Sequence, residues 1–139
     1  MPAGVCLLLG QLAMFEACKA FAGKEHSWYP EEYAVKNSIP MRQLRYVVGV
    51  LVKAKLLLQI DSTADDDLFV PGCPPDTITL ATVEEAFRDN DSVDGKQYFD
   101  MLPPHLSNGL KKRYQEFSRT LKEVNFEDAV TMSVSEPNA

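Results

Sequence analysis

The sequence predicts a mainly α protein with one small β-hairpin and a long C-terminal helix, and three observations carry that reading. Apolar residues recur at helical spacing in "IPMRQLRYVVGVLVK" (Ile39–Lys53) and again in "LSNGLKKRYQEFSRTLKEV" (Leu106–Val124). Two short β-prone runs, "LLLQI" (Leu56–Ile60) and "LFV" (Leu68–Val70), flank the polar run "DSTADDD" (Asp61–Asp67), the pattern of a hairpin. At 139 residues, with 45% hydrophobic and 24% charged, the chain has material for one globular core.

The elements follow in order. A first helix runs from about Ala3 to Ala22, with Leu8, Leu12, Phe15 and Ala22 on the inner stripe, Leu9 and Met14 widening it, and Gly23 ending it. A loop then carries Trp28, expected to pack over that helix. Pro30 opens a short second helix, because its fixed φ suits the first turn and its missing N–H costs nothing there. Glu31 and Glu32 complement the positive end of this helix, and Tyr33 and Ala34 face inward. "SIP" (Ser38–Pro40) is a second turn, and Pro40 opens a third helix ending near Lys53. At 100° per residue Leu44, Val47, Val48 and Leu51 share one side of it, while Arg42, Arg45, Tyr46, Gly49 and Lys53 share the other.

After the hairpin, "PGCPPD" (Pro71–Asp76) is an irregular connection. A fourth helix spans Ile78–Arg88, capped by Thr79 and buried through Leu80, Val83 and Phe87. "DNDSVDGKQ" (Asp89–Gln97) reads as a polar linker. The last helix places Leu106, Leu110, Tyr114, Phe117, Leu121 and Val124 in a seam of the kind that packs against another helix. The expected organisation is a domain at 1–90, a linker at 91–105, the C-terminal helix at 106–126 and an unstructured tail at 127–139.

Charge bears on partners. The net charge is −6 and the pI about 4.9, the wrong sign for a chain whose main task is gripping phosphates. The distribution is uneven: residues 1–60 hold seven basic and four acidic residues, whereas 61–100 hold two basic and eleven acidic. The apolar opening "GVCLLLGQLAMF" is interrupted by Gly10 and Gln11, short of the roughly 20 apolar residues of a membrane span. It also lacks the marks of a signal peptide. Cys6, Cys18 and Cys73 are an odd set without a CxxC spacing, and Cys6 and Cys18 sit among apolar residues as buried thiols would. A reducing cytoplasm is the expected compartment.

Helix, short helix, turn, helix and two-stranded hairpin is the order of a winged helix-turn-helix. Several stretches resemble the IscR/NsrR-like bacterial repressors, winged-helix proteins of the iron–sulfur-regulator type. Glu32-Tyr33-Ala34 matches an element of their short helix, and Leu51–Leu57 matches the end of their third helix with Lys55 in place of a glycine. Pro74, Pro75, Ile78, Thr79, Leu80, Val83 and Ala86 match the return from their wing, and Ser118–Val124 resembles the close of their dimerisation helix. Ile39-Pro40 and Arg42 also resemble the cytosolic C-terminal winged helix of YihY/BrkB membrane proteins, labelled ribonuclease BN.

These resemblances imply two functions. The first is a non-catalytic interaction or regulatory domain, the cytosolic end of a YihY/BrkB-type membrane protein, with a protein partner or itself as ligand. The second is a DNA-binding transcriptional regulator of the IscR/NsrR-like type without an iron–sulfur cluster. A cluster needs about four ligands, and Arg88–Leu106, where such regulators place theirs, has no cysteine. Neither cofactor nor metal site is expected: His26 and His105 have no short-spaced partner, and Asp65–Asp67 lack a calcium-loop register. No nucleophile elbow or phosphate-cradling glycine loop points to an enzyme. The candidate recognition surface is Arg42, Arg45, Tyr46, Gly49 and Lys53; the candidate homodimer seam is Leu110, Tyr114, Phe117 and Leu121. "LKKRYQ" (Leu110–Gln115) reads as a solvated basic face.

Overall fold

The first helix, α1 (Ala3–Ala22), packs against α3 (Met41–Lys53), β2 (Leu68–Pro71), α4 (Leu80–Met101) and α6 (Phe126–Ser135). The computed structural model describes residues 3–60 and 67–135. The expected span of α1 holds, but its inner face is not the leucine stripe. Gly10, Ala13, Met14, Ala17 and Cys18 are buried, while Leu8 and Leu12 face outward. Neighbours that cross a helix closely need small side chains at the crossing, and leucines there would hold them apart. Gly10 makes the point: a Cβ at this position would run into the Phe87 ring of α4. Because α1 is apolar nearly all round, periodicity alone does not select the inner side.

That apolarity overturns a second expectation. The stretch Gly4–Ala22 is long and apolar enough, by length and composition, to cross a membrane, despite Gly10 and Gln11. Here it serves as the core helix, and the Gln11 amide donates to the Leu80 carbonyl at 3.1 Å.

A loop leads to α2 (Pro30–Lys36), with Pro30 at its first turn beside Glu31 and Glu32. Trp28 is buried, edge-on to Tyr33 at 5.7 Å. Its backbone exchanges hydrogen bonds with Phe69 at 2.8 and 2.9 Å, tying this loop to the hairpin. The α2–α3 turn closes through Ile39 N–H to the Ala34 carbonyl at 2.9 Å, with Ser38 in the left-handed region. Helix α3 (Met41–Lys53) starts one residue later than expected. Pro40 sits at its N-cap, where its carbonyl accepts from the N–H groups of Gln43 and Leu44. Leu44, Val47, Val48 and Leu51 are buried as expected, joined by Val50.

Strands β1 (Leu57–Ile60) and β2 (Leu68–Pro71) pair antiparallel, with Leu57 opposite Pro71 and Ile60 opposite Leu68. The acidic turn between them, Asp61–Asp67, lies outside the described residues except for Asp67. Lys55, where the resembling repressors carry glycine, adopts φ 65° at the α3–β1 joint. The chain returns so closely over this joint that a Cβ on Gly72 would meet the Lys55 carbonyl. Gly72 N–H bonds to the Leu56 carbonyl at 2.8 Å. A single 3₁₀ turn (Pro75–Thr77) follows.

The C-terminal half departs from expectation three times, and one of these is that the helix expected at 106–126 runs Pro104–Leu121 and leaves Val124 outside it. Helix α4 (Leu80–Met101) is capped by Thr79, whose hydroxyl accepts from the Thr82 N–H at 3.2 Å, and it does not end at Arg88. The run expected as a polar linker is helical through Met101. No proline interrupts Leu80–Met101, and one Gly95 costs only about 1 kcal/mol, so polarity alone does not break the helix. Pro103 and Pro104 do, and α5 (Pro104–Leu121) follows at once. Arg88 joins the two helices, its guanidinium over the Tyr114 ring at 2.9 Å and paired with Glu84 at 3.3 Å.

Within the tail expected at 127–139, the described residues form a further helix, α6 (Phe126–Ser135). Asn125 caps it, accepting from the Asp128 N–H at 2.8 Å and donating to the Asp128 carboxylate at 3.0 Å. Phe126 and Val130 are buried, and α6 packs on α1. Phe126 N–H to the Ile78 carbonyl and Leu80 N–H to the Val124 carbonyl stitch this end of the chain to the start of α4. "NFEDAV" holds that cap in plain view, so the signal was legible.

Candidate nucleic-acid interface

Packing Leu44, Val47, Val48 and Leu51 inward leaves the opposite side of α3 to solvent. Arg42, Arg45, Tyr46, Gly49 and Lys53 are all exposed, on one face of one helix. Around Gly49 the space is open, with nothing within 4 Å of an added Cβ. A planar or extended partner can therefore reach the helix backbone there, between Arg45 and Lys53.

Sequence reasoning missed what flanks this face. A cleft of about 250 Å³ opens between α2, α3 and the hairpin. Val48, Val52, Met41 and Phe69 line its apolar side; Glu31, Arg45, Gln59 and Asp67 line its polar side. Arg45 Nη2 lies 3.6 Å from Glu31 Oε1, and the Tyr29 hydroxyl donates to Glu31 Oε2 at 3.0 Å. At the turn end of the hairpin the Gln59 amide donates to Asp67 Oδ1 at 2.8 Å. Glu31 belongs to another helix than Arg45, and no local spacing signals the pair.

The expected seam on α5 is divided. Leu110 and Phe117 are 51% and 57% exposed, as is Leu106 at 51%, so this chain alone leaves them unpacked. Tyr114 and Leu121 are half-buried, and Tyr114 is engaged by Arg88. Leu8 and Val5 on α1 add further outward apolar surface.

The cysteines do not form a ligand set. Cys6 and Cys18 belong to α1, and Cys73 follows β2, its thiol 3.7 Å from the Lys55 carbonyl. Cys6 is only partly buried, against the expectation of a fully buried thiol. Burial pushes the Cys18 thiol up to about 12, which keeps it protonated and a poor metal ligand or nucleophile. Three cysteines placed so do not fit an iron–sulfur cluster. Among the described residues no three His, Cys, Asp or Glu side chains converge as metal ligands would. Near α2, burial and then the Glu16 charge hold the Tyr33 hydroxyl above its ordinary value.

No protein-family model matches the chain, and neither does any curated protein. Solved structures do. Staphylococcus aureus CymR superposes with a TM-score of 0.67 at 12% identity, over 97% of this chain and 99% of that one. CymR (YrzC), the global cysteine regulator of B. subtilis, gives 0.65 at 17% identity, over 94% and 97%. IscR of T. potens gives 0.69 at 13% identity, over 96% and 90%. The chain has a winged helix-turn-helix fold. In this winged helix α2 and α3 form the helix-turn-helix, β1 and β2 the wing, and Arg42, Arg45, Tyr46, Gly49 and Lys53 the outer face of the third helix. The superposition runs over nearly all of this chain, so α4, α5 and α6 share in the likeness with the helix-turn-helix and wing. The IscR-like resemblance read in the sequence thus has a structural counterpart at the level of fold.

Proposed function

We propose that this chain is a non-catalytic DNA-binding regulator that acts as a homodimer. The observation that carries the reading is the solvent-facing arginine, tyrosine, glycine and lysine surface of α3, on a fold shared with CymR and IscR. In such a fold the third helix enters the major groove, where Arg45 and Arg42 can donate to guanine N7 and O6 and Lys53 can meet a phosphate. Leu106, Leu110 and Phe117 on α5 form the seam between two copies, which sets two α3 faces against successive major grooves. The net charge of −6 is reconciled by location: the first 60 residues, which carry α3, hold seven bases against four acids. The excess acid falls in 61–100, and the affinity for DNA is correspondingly modest and sensitive to salt. A cytoplasmic location follows from this role.

Fluorescence anisotropy with labelled duplex DNA, from low to physiological salt, tests the reading with the native chain and Arg45→Glu. Binding that weakens steeply with salt and vanishes in the variant is the expected result. Absence of binding at low salt, or equal binding by the variant, would overturn it.

A further inference from the structure

We infer that Glu31 is a positioning residue that aims Arg45 at a base edge and so sets sequence discrimination; the inference rests on α3 reading DNA. Glu31 comes from the first turn of α2, while Arg45 stands on α3, and the two meet at 3.6 Å through Oε1 and Nη2. The second carboxylate oxygen has its own donor, the Tyr29 hydroxyl at 3.0 Å. Pro30, locked in φ between Tyr29 and Glu31, limits how far these two can drift apart. Glu31 is thus anchored on one side and offers its free edge to Arg45.

The guanidinium has five N–H donors in a planar fork, and Glu31 takes a share of one end. Among the described residues Glu31 is the ion-pair partner of Arg45, and the remaining edge can meet the N7 and O6 acceptors of guanine, the pairing that arginine makes best in the major groove. Gly49, four residues on from Arg45 and on the same face, leaves open space for a base edge to approach. A carboxylate at this place also opposes phosphate. Contact between Arg45 and the backbone would bring a phosphate towards Glu31, whereas contact with a neutral base edge would not. Glu31 therefore lowers generic affinity while raising discrimination. An ordinary structural ion pair has no reason to act in opposite directions on these two quantities.

The test uses the full chain and random-sequence duplex selection, followed by anisotropy on the enriched and on unrelated duplexes. The proteins are native, Arg45→Ala, Glu31→Gln, Tyr29→Phe and the Glu31→Gln/Arg45→Ala double variant, each checked by circular dichroism. The native chain is expected to prefer a G·C pair that Arg45→Ala loses, by about tenfold. Glu31→Gln reduces preference at that pair by about threefold, as an exposed ion pair warrants, and strengthens binding to unrelated duplex. Tyr29→Phe moves both quantities the same way by less, and in the Arg45→Ala background Glu31→Gln no longer alters base preference. Unchanged base preference in Glu31→Gln, or parallel loss of selective and generic binding, overturns the positioning role and leaves α3 as the DNA reader. If the native chain binds and enriches no duplex, the DNA reading itself fails, and this inference with it.

Discussion

Helices α3 and α5 are both amphipathic, yet they spend their two faces in opposite ways. In α3 the apolar side, with Leu44, Val47 and Leu51, is sealed by the chain's own core, and the polar side is offered to solvent. In α5 it is the apolar residues Leu106, Leu110 and Phe117 that remain exposed. A helix whose apolar side is satisfied internally can afford a specific polar surface; one whose apolar side is bare calls for a second surface to cover it. On the proposed function α3 reads and α5 assembles, two tasks that residue type alone would not distinguish.

The largest effect expected is on the sealed side of α3. Leu51→Ala, at a fully buried position, is predicted to cost about 3 kcal/mol of folding stability, measured by urea denaturation. The same type of change on α5 should behave differently. Leu110→Ala with Phe117→Ala is predicted to weaken self-association at least tenfold by sedimentation equilibrium, with the helical spectrum intact. If the double change instead unfolds the chain, α5 is a core helix and the contrast collapses.

A smaller effect sharpens the other side of the comparison. Gly49→Ala meets open space and should stabilise the fold by about 1 kcal/mol in thermal denaturation, while weakening duplex binding by filling the gap on the recognition face. Stability and binding then move in opposite directions.

The smallest concerns pH. Cys18 ionises near 9.0 when exposed, but burial in the fold pushes it up to about 12. The unfolded chain therefore loses a proton that the folded chain keeps as pH rises past 9. Stability from this group is complete below that pH and declines above it, until the folded pKa is passed. Cys18→Ala should remove that decline from urea titrations at pH 8 to 10.

Local chemistry accounts for what was legible beforehand. The α3 stripe could be read because a 3.6-residue period with charges on one side admits a single inward face. Pro30 and Thr79 marked helix starts for similar reasons, since a fixed φ and a hydroxyl acceptor act within one turn. Helix α6 was equally marked by Asn125 and Asp128, a cap that the expectation of a frayed chain end passed over. The polar run after Arg88 misled because polarity says where a helix is wet and not where it stops.

Sequence alone settled the winged-helix order and the register of the α3 stripe, both of which depend on neighbours a few residues apart. Tertiary structure decided the rest. It turned Leu8 and Leu12 outward because α1 is crossed closely enough to need Gly10, Ala13 and Ala17 inside. It drew Tyr114 from the seam to Arg88, and it set Glu31 against Arg45. Each of these turns on the distance between elements remote in the chain, which only the packed fold determines.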